Sequence, residues 1–100
     1  MEFEWDENKR GEVIRAREVD ILYAALIFEG IVVTNVDDRK EYGETRLKSV
    51  GMVGKECFIV VHTQRDGITR LITAWKGGRI DRERYEASIA ARYREDEGEG

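Results

Sequence analysis

The sequence has no proline, one cysteine and one histidine in 100 residues. The missing proline carries no functional message. A single cysteine excludes an internal disulfide. Cys57 lies in an apolar run with no Cys or His at ligand spacing, so it reads as a small core residue and no zinc site or other metal site is expected. This usage fits a reducing cytoplasm, which is the expected location. No run of about 18 apolar residues occurs, so no membrane span is expected. The opening stretch Met1-Glu-Phe-Glu-Trp-Asp6 has neither a basic segment nor an apolar one, so no signal peptide is expected. No internal repeat is found.

What is present is charge. Charged residues make up 38% of the chain against 41% hydrophobic ones, so one domain with a small core and a heavily charged surface is expected. The net charge of −4 argues mildly against a nucleic-acid partner. Its distribution argues the other way. Residues 1–38 carry 4 basic and 10 acidic side chains, residues 39–84 carry 11 and 6, and residues 85–100 carry 2 and 5. Cations are concentrated in the middle, where a polyanion could be met. Uneven charge by chance is the competing reading.

Phe3 and Trp5 alternate with Glu2 and Glu4, the pattern of a short strand with one wet face. Asp6 can cap a helix from Glu7 to Arg17, with Val13 and Ile14 turned inward. Asp20 reads as a second N-cap, followed by Ile21, Ala24, Ala25 and Phe28 on one face. Gly30 is expected to end that helix in a left-handed conformation. Ile31 to Val36 is β-branched and reads as a strand, and Asp37 to Gly43 as a polar connection in which Asp37 and Asp38 are ordinary turn residues. From Thr45, Arg46, Lys48, Val50 and Met52 share one face of a strand. Glu56 to Thr63 is apolar on both faces from Cys57 to Val61, as in a central strand. Asp66-Gly67 predicts a tight hairpin into a last strand, Ile68 to Trp75. A helix from Asp81 to about Tyr93 should turn Tyr85, Ile89 and Ala90 inward. Residues 95–100 lack apolar side chains and are expected to form a disordered acidic tail after a domain spanning 1–94. The expected class is α+β: a short N-terminal strand, two helices, a four-stranded antiparallel sheet and a C-terminal helix.

Five segments in this order carry a resemblance: Phe3-Glu-Trp-Asp-Glu-Asn-Lys9, Ala24-Ala-Leu-Ile-Phe28, Asp37-Asp-Arg-Lys-Glu-Tyr-Gly-Glu-Thr-Arg46, Val61-His-Thr63, and Arg70-Leu-Ile-Thr-Ala-Trp-Lys76 followed by Arg82-Glu-Arg-Tyr-Glu86. Over roughly residues 1–86 the chain resembles the BrnT toxins. The resemblance implies a RelE-like fold and the toxin half of a type II toxin–antitoxin pair. It further implies metal-free RNA cleavage that stops translation, a ribbon-helix-helix antitoxin as partner, and contact with operator DNA only through that antitoxin. No cofactor is implied. Arg46, Arg70, Lys76, Arg79 and Arg82 stand where family members usually carry basic residues. Where many relatives have Lys-His-Gly, this chain has Ala16-Arg17-Glu18, and where many have Ser-Ala-Arg it has Thr73-Ala74-Trp75.

Metal-free RNA cleavage uses the 2′-OH as nucleophile. It needs a proton acceptor, a donor for the leaving 5′-oxygen, and cations for the charge that grows on the phosphate. Arg46, Arg70, Lys76 and Arg79 are the expected cations, because a guanidinium grips two phosphate oxygens and stays charged. His62 is the candidate base or acid. Lys48, Arg82, Trp75 and Tyr85 are expected to bind RNA, the two aromatics by stacking a base and Tyr85 also as a possible proton donor. The competing readings are a structural His62, core or sheet-edge roles for Trp75 and Tyr85, and ion pairs along the helix for Arg82 and Arg84. A toxin-fold protein without catalysis, acting as antitoxin-binding partner or co-repressor, is the alternative function. An unrelated small protein-binding domain is the third.

Overall fold

The structure is a computed structural model that describes residues 1–98, with side chains described through Arg94. The elements are β1 (Phe3–Glu4), α1 (Glu7–Arg17), α2 (Ile21–Ala24) continued by a 3₁₀ turn (Ala25–Glu29), β2 (Val33–Val36), β3 (Leu47–Val53), β4 (Glu56–Arg65), β5 (Ile68–Lys76) and α3 (Arg79–Gly98). The class is α+β, as the residue pattern implies. The sheet differs in detail from the expected four antiparallel strands. Five strands run in the order β1-β5-β4-β3-β2, and β1 lies parallel to β5, with Phe3 opposite Thr69 and Glu4 opposite Arg70. A two-residue strand is too short to declare a sheet partner in its sequence.

Local chemistry sets the helices. The Asp6 carboxylate accepts from the backbone N–H groups of Asn8 and Lys9 at 2.8 and 3.2 Å, satisfying two free donors of the first turn of α1. Asp20 does the same for Leu22 at 2.9 Å. The Arg10 guanidinium grips both Asp20 oxygens, at 2.9 and 2.8 Å, and so ties α1 to the start of α2. Val13 is buried but Ile14 is exposed, so the inner face of α1 is narrower than expected. Gly30 is extended at φ −115, not left-handed; it is Glu18, at φ 57, that closes a helix in that conformation.

The tight Asp66-Gly67 turn forms as expected. Both residues have positive φ, which lets a two-residue loop match the strand twist. β4 is the middle strand and is buried from Cys57 to Thr63. α1, α2 and the 3₁₀ turn cover one face of the sheet, where Ile21, Ala24, Ile27, Phe58, Val60, Leu71 and Ala74 form the core. The approach is close: a Cβ on Gly51 would sit 2.8 Å from Cβ of Ile27. The other face carries α3, set over β2 and β3, and the 37–46 loop. α3 starts before Asp81 and continues past Tyr93; the expected disordered tail falls in part on residues 99–100, which lie outside the described residues. Among the described residues no helix is long and apolar enough to cross a membrane.

Candidate active site

Placement of the cations depends on one irregularity in β5. Thr73 lies opposite Val61 and Leu71 opposite His62, so Ile72 is an extra residue in the ladder. Strict alternation would set Arg70 on the helix-covered face with Ile72 and Ala74. The bulge moves Leu71 into the core and turns Arg70 to the open face, the face of Trp75.

Arg70 there lines a cleft of about 370 Å³ with Arg46, Arg65, Lys9, Glu44 and Asp6. Four elements supply them: the N-terminal turn of α1, the residues entering β3, the end of β4 and the bulged part of β5. Glu44 stands 3.6 Å from Arg46 and 3.2 Å from Arg65, while Glu4 on the neighbouring strand stands 3.5 Å from Arg70.

A chain of contacts continues from the cleft along the 37–46 loop. The Arg46 guanidinium lies 4.1 Å from the centre of the Tyr42 ring. The Tyr42 hydroxyl donates to Asp37 at 3.3 Å, and Arg39 holds the same carboxylate with Nε at 2.7 Å and Nη2 at 2.8 Å. Arg39 in turn lies 5.0 Å from the centre of the Trp75 ring, and Arg17 lies 5.2 Å from that centre. Asp37 is not an ordinary turn residue. Its side chain is only 1% exposed, and the Arg39 guanidinium holds its carboxyl down at about 2.

The expected residues do not all meet. Arg46 and Arg70 do, and Trp75 joins them through the loop. Lys76, six residues along β5 and so roughly 20 Å from Arg70, pairs with Glu56 at 3.6 Å beside Arg17 and Tyr23. Arg79 points into solvent and pairs with Glu83 at 3.3 Å. Arg82 pairs with Glu86 and donates to the Lys55 carbonyl. Lys48 and Tyr85 lie in the groove between the sheet and α3, where the Tyr85 hydroxyl donates to the Ile31 carbonyl at 2.7 Å. The expected convergence of the last hairpin with α3 is therefore corrected: Arg46, Arg65 and Arg70 gather at the far end of β5 from α3.

His62 is also elsewhere. It faces the covered side, 6% exposed, with Nε2 2.7 Å from the Ser49 hydroxyl and its ring edge-on to Phe28. The Ser49 hydroxyl is 2.7 Å from that of Thr34, and His62 Nδ1 is buried without a partner. Burial pushes the pKa of this imidazole down. The expected catalytic base is thus a core residue, withheld from the cleft by the alternation that turns its neighbours Val61 and Thr63 the other way. Sequence reasoning missed Lys9, Glu44, Arg65, Arg39 and Arg17. Only the density of charge around Tyr42 in 37–46 could have signalled the loop. Among the described residues no group of three or more His, Cys, Asp or Glu side chains is placed to hold a metal ion.

No curated protein matches the chain. A family model described as "Ribonuclease toxin, BrnT, of type II toxin-antitoxin system" matches residues 5–79, from the entry to α1 through the first residue of α3. That span contains every residue lining the cleft and the whole 37–46 loop, and it leaves out almost all of α3. It covers three quarters of the chain, which therefore belongs to the BrnT ribonuclease toxins of type II toxin–antitoxin systems.

Proposed function

We propose that the chain is a metal-independent endoribonuclease that cuts in the cleft between β3, β5 and α1 and thereby blocks translation. The observation that supports this most is one cleft lined by Arg46, Arg65 and Arg70, in which Glu44 lies within ion-pair distance of Arg46 and Arg65 while Arg70 faces Glu4. Three guanidiniums suit a phosphate that gains charge in the transition state.

The step is a transesterification. The Glu44 carboxylate accepts the 2′-OH proton, the 2′-oxygen bonds to phosphorus, and the bond from phosphorus to the 5′-oxygen breaks. Lys9, in the same cleft, carries a proton for the leaving oxygen. The products are a 2′,3′-cyclic phosphate and a 5′-hydroxyl. Arg46 and Arg70 hold the non-bridging oxygens. In this scheme neither His62 nor Tyr85 moves a proton. Lys76, Arg79, Arg82 and Lys48 bind flanking RNA or the antitoxin.

The partner is a cognate antitoxin of ribbon-helix-helix type, through which the complex reaches operator DNA, and the site of action is the cytoplasm. A specific feature favours a second reading, a toxin that binds its antitoxin without cutting: the only imidazole is buried, and Ala16-Arg17-Glu18 replaces the family's Lys-His-Gly. Inducing the chain alone in a bacterium decides between them. Growth arrest with RNA ends bearing cyclic phosphate, relieved by the product of the adjacent gene, supports cleavage. Antitoxin binding without arrest supports the second reading.

A further inference from the structure

We infer that Arg17 and Arg39, both held against the indole of Trp75, form a second phosphate-binding station for the RNA strand leaving the cleft. The inference rests on the ribonuclease reading and names a part of its substrate site. The two guanidinium carbons are 5.2 and 5.0 Å from one ring centre, so they lie at most 10.2 Å apart.

Their hydrogen-bonding states differ in a useful way. Arg39 spends Nε and Nη2 on Asp37 and keeps Nη1 free. Its charge is balanced by that carboxylate, so it supplies a fixed direction. Arg17 uses only Nη1, on the Ala74 carbonyl at 3.3 Å. No carboxylate lies within ion-pair distance of it among the described residues, although Glu18, Asp20 and Glu56 line the same hollow. It therefore offers an unneutralised charge with Nε and Nη2 free.

A guanidinium laid on an aromatic face sheds water on that side and keeps its plane fixed, which favours a two-point grip on phosphate. The station is not isolated from the chemistry. Arg39, Asp37, Tyr42 and Arg46 form an unbroken chain of contacts from Trp75 to the cleft. A single strand bound in the cleft and continuing along the loop would meet the station next.

The test uses the purified full chain and a labelled single-stranded RNA. Binding is measured over a range of salt concentrations, and cleavage is compared on that RNA and on a dinucleotide. Arg17→Gln should weaken binding of the longer RNA roughly threefold to tenfold and reduce the slope of log K against log salt by about 0.7, the loss of one single-strand phosphate contact. Its kcat/KM should fall more on the long RNA than on the dinucleotide. Arg15→Gln, the same charge change on the same helix, should keep the parent slope. An Arg17→Gln slope equal to the parent's, or an equal drop in both variants, overturns the station while RNA binding by the parent chain leaves the ribonuclease reading standing. A parent chain that neither binds nor cuts RNA overturns both.

Discussion

Each face of the central sheet carries a chain of polar side chains, and the two have opposite fates. On the helix-covered face Thr34, Ser49 and His62 are linked at 2.7 Å each, with Ser49 and His62 buried, Phe28 edge-on to the His62 ring and Thr34 at the exposed end. On the open face Arg39, Asp37 and Tyr42 are linked by hydrogen bonds at 2.8 and 3.3 Å, and Arg46 lies 4.1 Å from the Tyr42 ring centre. The first chain partners the Ser49 hydroxyl and His62 Nε2, which alternation forces into the core, and its worth is structural. The second holds cations in fixed positions where an anion can reach them. Residue type does not separate the two: the histidine is the one inside, and the residue that looked like loop filler, Asp37, organises the outside.

The comparison breaks most sharply at Arg70. Arg70→Ala should abolish growth arrest and lower RNA cleavage by about 10²–10³-fold while the protein stays folded, because it removes a cation from the phosphate site. Unchanged arrest with a normal melting curve would remove Arg70 from the site. Glu44→Gln should cut kcat by about 10²-fold or more and affect RNA binding far less, since it removes a proton acceptor rather than a cation. Equal losses in binding and rate would make Glu44 a positioning residue.

On the covered face the expected effects are on stability. Gly51→Ala puts a Cβ against Ile27 and should cost about 1–3 kcal/mol in denaturant unfolding. Ser49→Ala should cost about 1–3 kcal/mol by leaving the buried His62 Nε2 without its partner. An unfolding midpoint that does not move would mean the sheet and 3₁₀ turn separate easily.

The smallest effects should come from pH and run at different ends of the scale. The His62 imidazole has a lowered pKa in the fold, so the unfolded chain binds its proton first. The stability this group contributes is full above its ordinary value of 6.5 and is lost as pH falls below it. Asp37 also has a lowered pKa, so its contribution is full above 3.8 and is lost only as pH falls toward about 2. Substituting His62→Gln should remove the first slope and leave the second. A slope near pH 6 that survives His62→Gln would belong to another group.

Much of the fold was legible in the chain. Asp6 and Asp20 announce their helices because a short carboxylate can accept the free N–H groups of a helix's first turn. The run from Cys57 to Val61 reads as a middle strand because only a strand covered on both sides is apolar at every position. Asp66-Gly67 announces its turn through the rarity of positive φ. The parallel β1 was not legible as part of the sheet, since two residues carry no register. The bulge at Ile72 was not legible either, and it decides the face of Arg70. Of the site, Arg46, Arg70 and Trp75 could be picked out as residues, but Glu44, Lys9 and Arg17 could not, because nothing local distinguishes them from other surface charges.

The sequence by itself determined the element order, the central strand, the family and the concentration of cations in the middle of the chain. The family follows from the resemblance of whole segments in order; the rest follow from short-range rules: capping, alternation, turn chemistry and composition. Only the tertiary structure decided which cations share a cleft, that Lys76 and Arg79 lie away from it, that His62 is sealed and that Asp37 holds the loop. Those outcomes depend on one extra residue in a strand and on where a loop folds back. Both are settled by packing between segments far apart in sequence, which no local pattern encodes.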